Sequence, residues 1–193
     1  MTELESTPLD ALDLKPGERP TMPALPGATD AHRREGRRLA AIHMGHVRDL
    51  HRIERVLTRI EAGDAPPEEL RKIVLSLDMA ENFRAFGTLC GRECRALNFH
   101  HNAEEYGMFP KLESVGHEAL GKLVAKLRSE HEVIHELIRR LERAAMTLMF
   151  DPSDAAFQEA ALVFRHLDAG IRSHFGYEET QLEEALGFFL DEI

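Results

Sequence analysis

The chain has 193 residues, 43% of them hydrophobic and 30% charged, which is typical of one folded domain with a sizeable core. Its formal net charge of −10 argues against nucleic acid or an anionic membrane as the main partner. An apolar run of about 18 residues is absent, which argues against a membrane-spanning helix. The acidic N-terminus lacks the apolar stretch of a secretory signal, so we expect a cytoplasmic protein. No feature of the sequence indicates a protein partner.

The N-terminal region, residues 1–28, is rich in proline and shows little apolar periodicity. These features predict a disordered or loosely packed tail, and the folded domain is expected to span residues 29–193. The prolines are Pro8, Pro16, Pro20, Pro23 and Pro26.

Beyond Thr29 the apolar residues recur every three or four positions, and strand-type alternation is absent. The first helix is predicted from about Asp30 to Ala62, because Gly63 and the sequence DAPP that follows end it. The last two helices are predicted over about 118–150 and 153–190, with a turn of sequence DPS between them.

The region between these helices, Glu68–Ser114, is too long for one bundle helix, since at 1.5 Å per residue it would extend about 70 Å. Asp78 and Glu81 have the spacing of a capping box, which marks a helix start. We therefore predict a short helix that ends near Leu77 and a second bundle helix that begins near Met79. The predicted fold is all-α: an antiparallel up-down four-helix bundle with a short crossover helix between the first and second bundle helices and a Pro-rich N-terminal tail.

Two of the predicted helices carry a histidine followed four residues later by a glutamate. The pairs are His100 with Glu104 and His174 with Glu178, and each lies on the apolar face of its helix. Burying a carboxylate costs several kcal/mol unless it is paired or bound to a metal. Imidazole and carboxylate together suit iron, and a carboxylate can bridge two ions. The pattern therefore predicts an iron site in the bundle core.

The other two bundle helices also place histidines on their apolar faces, with His131 on the third helix and His43 and His46 on the first. Residues equally far from a turn lie at the same height in antiparallel neighbours, and the histidines of the last three helices satisfy this condition. His43 satisfies it once the crossover helix is included. By contrast, His101 is predicted to point away from the apolar face.

Three segments resemble a known family. Phe99–Glu113, with the sequence FHHNAEEYGMFPKLE, resembles the signature of hemerythrin-like, or HHE cation-binding, domains. Ser129–Leu137 (SEHEVIHEL) and Ser173–Leu182 (SHFGYEETQL) resemble the third and fourth helix motifs of that family. The resemblance covers roughly residues 35–187.

The resemblance implies a non-haem di-iron centre whose two irons share an oxo or hydroxo bridge. The implied metal ligands are His43 and His100 for one iron, His131 and His174 for the other, and Glu104 and Glu178 as bridges.

Three ligand positions stay open at this point. His46 is the alternative to His43, and Glu179 is the alternative to Glu178, because oxygen-carrying hemerythrins place the second carboxylate five residues after the histidine. His135 lies one turn beyond the ligand of the third helix, which is where the carriers have a fifth histidine. A His135 ligand would leave the two irons unequal, as an oxygen carrier needs, whereas its absence would suit peroxide or nitric oxide chemistry.

The expected function is binding of O2, hydrogen peroxide or nitric oxide, or reaction with one of them, at the iron pair. Enzymatic turnover, either catalase-like peroxide breakdown or nitric oxide conversion, is left open because the ligand set alone does not choose. The main alternative is a sensory or regulatory module that responds to iron or oxygen without turnover. A metal-free helical bundle that retains the pattern is the third interpretation.

Overall fold

A computed structural model describes residues 3–64, 92–151 and 153–190. Within these ranges the regular structure consists of helices, without a strand, which confirms the all-α class. Seven α-helices are described: α1 (Glu3–Ser6), α2 (Asp30–Gly36), α3 (Arg38–Glu61), α4 (Arg92–Ala103), α5 (Phe109–Ser114), α6 (Glu118–Phe150) and α7 (Asp154–Phe189). A π-helical turn, Glu104–Met108, joins α4 to α5. The predicted crossover helix and the capping box of the second helix fall in residues 65–91, which lie outside the described ranges.

The predicted first helix is two helices that meet at Arg37. Thr29 caps α2 by accepting a hydrogen bond from the backbone N–H of His32, whose ring accepts one from the N–H of Thr29. The short helix crosses α7 at very close range. A Cβ atom added to Gly36 would lie 1.9 Å from the carbonyl oxygen of Glu183, so only glycine fits this crossing.

The two longest helices, α6 and α7, have the bounds that the sequence predicts to within one residue. His117 and Ser153 cap their first turns, each accepting a hydrogen bond from the backbone N–H three residues later. The helices pack against each other in antiparallel orientation, with Leu137 of α6 against Gly170 of α7. Further along the same pair, His131 meets His174.

The apolar core has two parts, and a layer of buried histidine and glutamate side chains lies between them. One part includes Leu50, Ile134 and Phe164, and the other includes Leu39 and Leu127. On α3, α6 and α7 the residues of the polar layer lie in sequence between residues of one apolar part and residues of the other. The buried polar residues of this layer are His43, His100, His101, Glu104, Glu130, His131, His174 and Glu178.

The N-terminal segment, residues 3–28, differs from the disordered or loosely packed tail that its composition predicts. Leu12 and Leu14 are buried in one part of the core, and Leu25 is buried in the other. The Nζ of Lys126 donates a hydrogen bond to the carbonyl of Leu14, and the backbone N–H of Met22 donates one to α7. These contacts are made with residues more than 100 positions away, so local composition does not reveal them. Among the described residues, no helix is both long enough and apolar enough to cross a membrane.

Candidate metal centre

Two groups of buried side chains bring their possible ligand atoms to within 4.8 Å of one another. Both groups include Glu104. The first group consists of His43, His100, Glu104 and Glu178, and the second consists of His101, Glu104, His131 and His174. All six predicted ligands therefore meet in one place, on α3, α4, the π-helical turn, α6 and α7.

In the first group, the Nε2 atoms of His43 and His100 lie 3.0 Å apart. The His100 Nε2 is also 3.0 Å from Oε1 of Glu104, and the His43 Nε2 is 3.4 Å from Oε2 of Glu178. Phe175 stacks on the His43 ring, with 3.8 Å between ring centroids and an angle of 4° between the planes. The stacked phenyl ring keeps that side of the group apolar.

The second group repeats this arrangement. The Nε2 atoms of His131 and His174 lie 3.1 Å apart, and Oε2 of Glu104 is 3.4 Å from the His131 Nε2. Oε2 of Glu178 lies 3.9 Å from the His174 Nε2. The two oxygens of Glu104 thus face different groups, and one oxygen of Glu178 lies near a histidine of each. Both carboxylates therefore lie between the two groups.

Three carboxylates on the outer side of the two groups accept hydrogen bonds from the Nδ1–H groups of three of the histidine rings. The Nδ1–H of His43 donates to Glu179 at 2.9 Å, and that of His131 donates to Glu105 at 2.8 Å. The Nδ1–H of His174 donates the third of these hydrogen bonds, to Glu130 at 3.1 Å. In a neutral imidazole whose Nδ1 carries the hydrogen, Nε2 is a bare lone pair. The outer carboxylates therefore turn the Nε2 lone pairs inward.

The inner atoms fit a bound cation. Lone pairs of two Nε2 atoms repel each other at about 3 Å unless a proton or a metal ion lies between them. Imidazole nitrogens bind a divalent ion at about 2.1 Å, so two of them at a right angle lie roughly 3.0 Å apart. The separations in the two groups match that value. Within the described residues, both carboxylate oxygens of Glu104 and Glu178, and Nε2 of His101, are buried without a hydrogen-bond partner. Unpaired buried groups of this kind need a ligand.

Burial and the close approach of several ionisable groups shift the pKa values of the side chains in this cluster. Burial, reinforced by the negative charge of Glu178, raises the pKa of the Glu104 carboxyl. Burial also acts to raise the pKa of Glu178, but His43, His174 and His100 outweigh it, so that the pKa is lowered. Burial lowers the pKa of His100 to about 3. The pKa values of these two neighbouring carboxyls are thus shifted in opposite directions, as expected for two acids that share one buried site.

His131 shows the opposite balance. Its burial lowers the pKa, but the neighbouring Glu104, Glu105 and Glu178 side chains raise it to about 9. The ring is therefore a cation at neutral pH when no metal is bound. A metal ion would replace this proton.

The structure separates the alternatives that the sequence leaves open. His46 belongs to neither group, and its half-buried ring lies 5.2 Å from the His100 ring. Glu179 holds His43 from outside, while Glu178 lies in the first group. His135 also belongs to neither group, since its Nε2 lies 3.1 Å from Nδ1 of His101. The geometry thus favours His43 over His46 and Glu178 over Glu179 as possible metal ligands. His135 contacts His101 and does not belong to either group.

His101 is the inner residue that the sequence prediction missed, because it was predicted to point away from the apolar face. Its side chain is fully buried, and its ring stacks on His131 at 4.1 Å between centroids. Neighbouring residues on a helix differ by about 100°, so a single narrow stripe admits only one of His100 and His101. A layer that contains two groups of possible ligand atoms is wide enough for both. The two adjacent histidines, His100 and His101, just before Glu104, are the sequence feature that could have indicated this arrangement.

Comparison with known proteins agrees with the site. The family model described as "Hemerythrin HHE cation binding domain" matches residues 34–186 of the chain. The matched span includes both groups and all three outer carboxylates. No curated protein and no solved structure matches the chain significantly.

Proposed function

Because the chain belongs to the hemerythrin HHE cation-binding family, we propose that it holds two non-haem irons and uses them to bind or transform a small ligand. The ligand classes are O2, hydrogen peroxide and nitric oxide. The observation that carries the proposal is the pair of histidine groups that share Glu104, with unpaired carboxylate oxygens between them. A set of imidazoles and carboxylates without thiolates suits iron.

The proposed ligands extend the six residues predicted from the sequence by one. His101 joins His131 and His174 at one ion, and His43 and His100 bind the other. Glu104 and Glu178 complete the set as bridges. We also propose that α3, α4 with α5, α6 and α7 form an antiparallel up-down bundle, because each contributes residues to this one layer.

The chain's own residues prepare the site for this role. A pair of irons, when bound, supplies redox and Lewis-acid chemistry toward small ligands. Glu105, Glu130 and Glu179 fix the ring tautomers, so that Nε2 is free to bind. Phe175 shields the His43 side from water.

The proposed donor sets are unequal, with three histidines on one side and two on the other. More room is therefore left at the ion of His43 and His100, and we propose that the small ligand binds there. This inequality is the feature that an oxygen carrier needs, and here His101 provides it in place of His135. Reversible O2 binding is the function that the geometry favours, and peroxide or nitric oxide reactions are the competing outcomes.

The test combines iron analysis with absorption spectroscopy. Purified protein loaded anaerobically with Fe(II) is expected to hold about two irons per chain. Admission of O2 should produce a visible band that disappears when O2 is removed. Rapid peroxide breakdown or nitric oxide consumption, without a reversible O2 band, would instead assign one of those reactions.

A matched pair of variants ties the result to the site. His43→Gln is expected to lose iron, while His51→Gln, which changes an exposed histidine on the same helix, should keep it. Full iron retention in the His43 variant would contradict the proposed ligand set.

A further inference from the structure

The N-terminal segment reaches the metal centre through one side chain. Arg19 donates from Nε to Oε1 of Glu130 at 2.8 Å and from Nη2 to Oε2 at 3.0 Å. The same carboxylate accepts the Nδ1–H of His174. Arg19 lies outside residues 34–186, the part of the chain that the family model matches. A continuous path therefore leads from a segment beyond the matched domain to an inner histidine.

The contact between Arg19 and Glu130 is buried and held on several sides. The Arg19 side chain is 12% exposed and that of Glu130 is fully buried. The guanidinium lies over the ring of Tyr177, 4.6 Å from its centroid. The Tyr177 hydroxyl in turn donates a hydrogen bond to the carbonyl of Pro20 at 2.8 Å. Tyr177 thus anchors the backbone next to Arg19 and also supports its charged group.

Two parallel bonds from a planar guanidinium fix both the position and the rotation of a carboxylate. Lys126 also lies near Glu130, but its Nζ is 3.9 Å from Oε1 of Glu130. That Nζ donates a hydrogen bond to the carbonyl of Leu14 instead. Arg19 is therefore the group that sets the orientation of Glu130. That orientation decides where the Nδ1–H of His174 is held.

We propose that Arg19 is a positioning residue of the metal centre, which fixes Glu130 so that His174 presents Nε2 to the metal. The inference rests on the proposed function, since it requires His174 to be a ligand. Outer partners of metal-bound histidines typically contribute about 10- to 100-fold to metal affinity. Arg19 acts one contact further out, so its effect should be smaller.

A control variant can separate the effect of Arg19 on Glu130 from its effect on how firmly the N-terminal segment is attached to the rest of the protein. Arg140 donates to the carbonyls of Leu4 and Thr7 and so anchors the same N-terminal segment. Its carboxylate partner is Glu136, which holds none of the inner histidines. Arg140→Gln therefore loosens the segment without touching the path to His174.

The experiment measures iron release from the full-length, iron-loaded protein to a chelator. Arg19→Gln is expected to release iron roughly 3- to 10-fold faster than the wild type, and Arg140→Gln should release it at the wild-type rate. Glu130→Gln should also release iron faster. Because Arg19 acts through that carboxylate, the double variant should be no faster than Glu130→Gln alone. Arg19→Lys, which keeps the charge but not the planar pair of bonds, should fall between Arg19→Gln and the wild type.

Three results would overturn the positioning role while iron binding itself stood: an unchanged rate in Arg19→Gln, equal acceleration in Arg140→Gln, or additive effects in the double variant. Thermal unfolding of each variant distinguishes a change at the centre from a general loss of stability. Wild-type protein that bound no iron would instead contradict the proposed function, and this inference with it.

Discussion

At the scale of single residues, Glu104 is the carboxylate that belongs to both groups of possible ligands. Its two buried oxygens face different histidine pairs, and neither has a hydrogen-bond partner. Glu104→Gln should therefore lower the iron content from about two per chain to less than half of that, because a neutral amide cannot bridge two ions. Inductively coupled plasma analysis of the purified variant measures this. Glu132→Gln, an exposed change on α6, is the control and should keep full iron; equal content in the two variants would refute the bridge.

His101 and His135 give a second residue-scale prediction. His101→Gln should lose the iron of the second group, because that variant removes a proposed ligand. His135→Gln should keep the iron stoichiometry but bind more weakly by about 10-fold, since His135 only orients His101. Iron titrations of both variants measure the difference. Loss of stoichiometry in the His135 variant with no loss in the His101 variant would return His135 to the ligand set.

Protonation of the same residues predicts how iron binding depends on pH. Without metal, the pKa of Glu104 is raised and that of His131 is raised to about 9, so this pair of groups holds a proton at neutral pH. A metal ion binds only their deprotonated forms, so binding must release protons and become tighter as the pH rises toward 9. Calorimetric titration in buffers of different ionisation enthalpy counts the protons released. Affinity that is independent of pH between 6 and 8 would contradict this assignment.

The six ligands predicted from the sequence share a property that explains why they could be found. Each lies on the apolar stripe of its own helix, and helical periodicity is a local signal. His101 and the three outer carboxylates do not lie on such a stripe. Their roles depend on the distance between helices and on which neighbour faces them, neither of which a single helix encodes.

At the scale of elements, the π-helical turn shows where the ideal period fails. In a regular α-helix Met108, four residues after Glu104, would share the inward face with it. In the structure Met108 is half-buried, while Phe109 is fully buried, five residues after Glu104. The wider turn points both Glu104 and Phe109 inward, and π-turns of this kind are frequent at functional sites. A pattern read at 3.6 residues per turn cannot anticipate that shift.

The close crossing of α2 and α7 gives an element-scale prediction. A Cβ on Gly36 or on Gly187 would lie 1.9 Å from a backbone carbonyl of the opposite helix. Either Gly→Ala change should lower the free energy of unfolding by about 1–3 kcal/mol, because backbone atoms must move. Gly121→Ala on α6, where a Cβ would meet nothing within 4 Å, is the control and should stabilise by up to about 1 kcal/mol. Urea unfolding compares the three; equal effects would mean that the helices do not approach so closely.

At the scale of the whole molecule, the two longest helices were predictable and the order of the N-terminal segment was not. The bounds of α6 and α7 follow from capping residues and from long periodic runs, which are local features. The N-terminal segment has too few apolar residues for a periodic signal, and its prolines resemble those of a linker. Its order comes from contacts with α6 and α7 across more than 100 residues of sequence. Local sequence patterns do not indicate contacts of this kind.

The stability of the whole molecule is expected to depend on acid pH through one buried carboxylate, that of Glu136. Glu136 is fully buried on α6 and accepts hydrogen bonds from Arg139, Arg140 and Arg143, of which Arg140 also holds the N-terminal carbonyls. Burial acts to raise the pKa of Glu136, but the three guanidinium groups outweigh it and lower that pKa below its ordinary value. A carboxyl with a lowered folded-state pKa stabilises the fold above its ordinary pKa, and this stabilisation is lost as the pH falls through the lowered value.

Glu136→Gln should therefore lower the free energy of unfolding at pH 7 by about 1–3 kcal/mol, the usual contribution of hydrogen bonds to a charged group, here mainly the bond from Arg140, whose side chain is 15% exposed. The same variant should lose less stability than the wild type between pH 5 and pH 3, because the titrating group is gone. Glu118→Gln is the matched control, since Lys122 also lowers the pKa of Glu118, but that pair is exposed to solvent and screened. Thermal unfolding of the three proteins across this pH range measures both effects. If Glu136→Gln keeps the full acid dependence of the wild type, the acid sensitivity arises elsewhere, and the arginine cluster is not what couples the N-terminal segment to the stability of the fold.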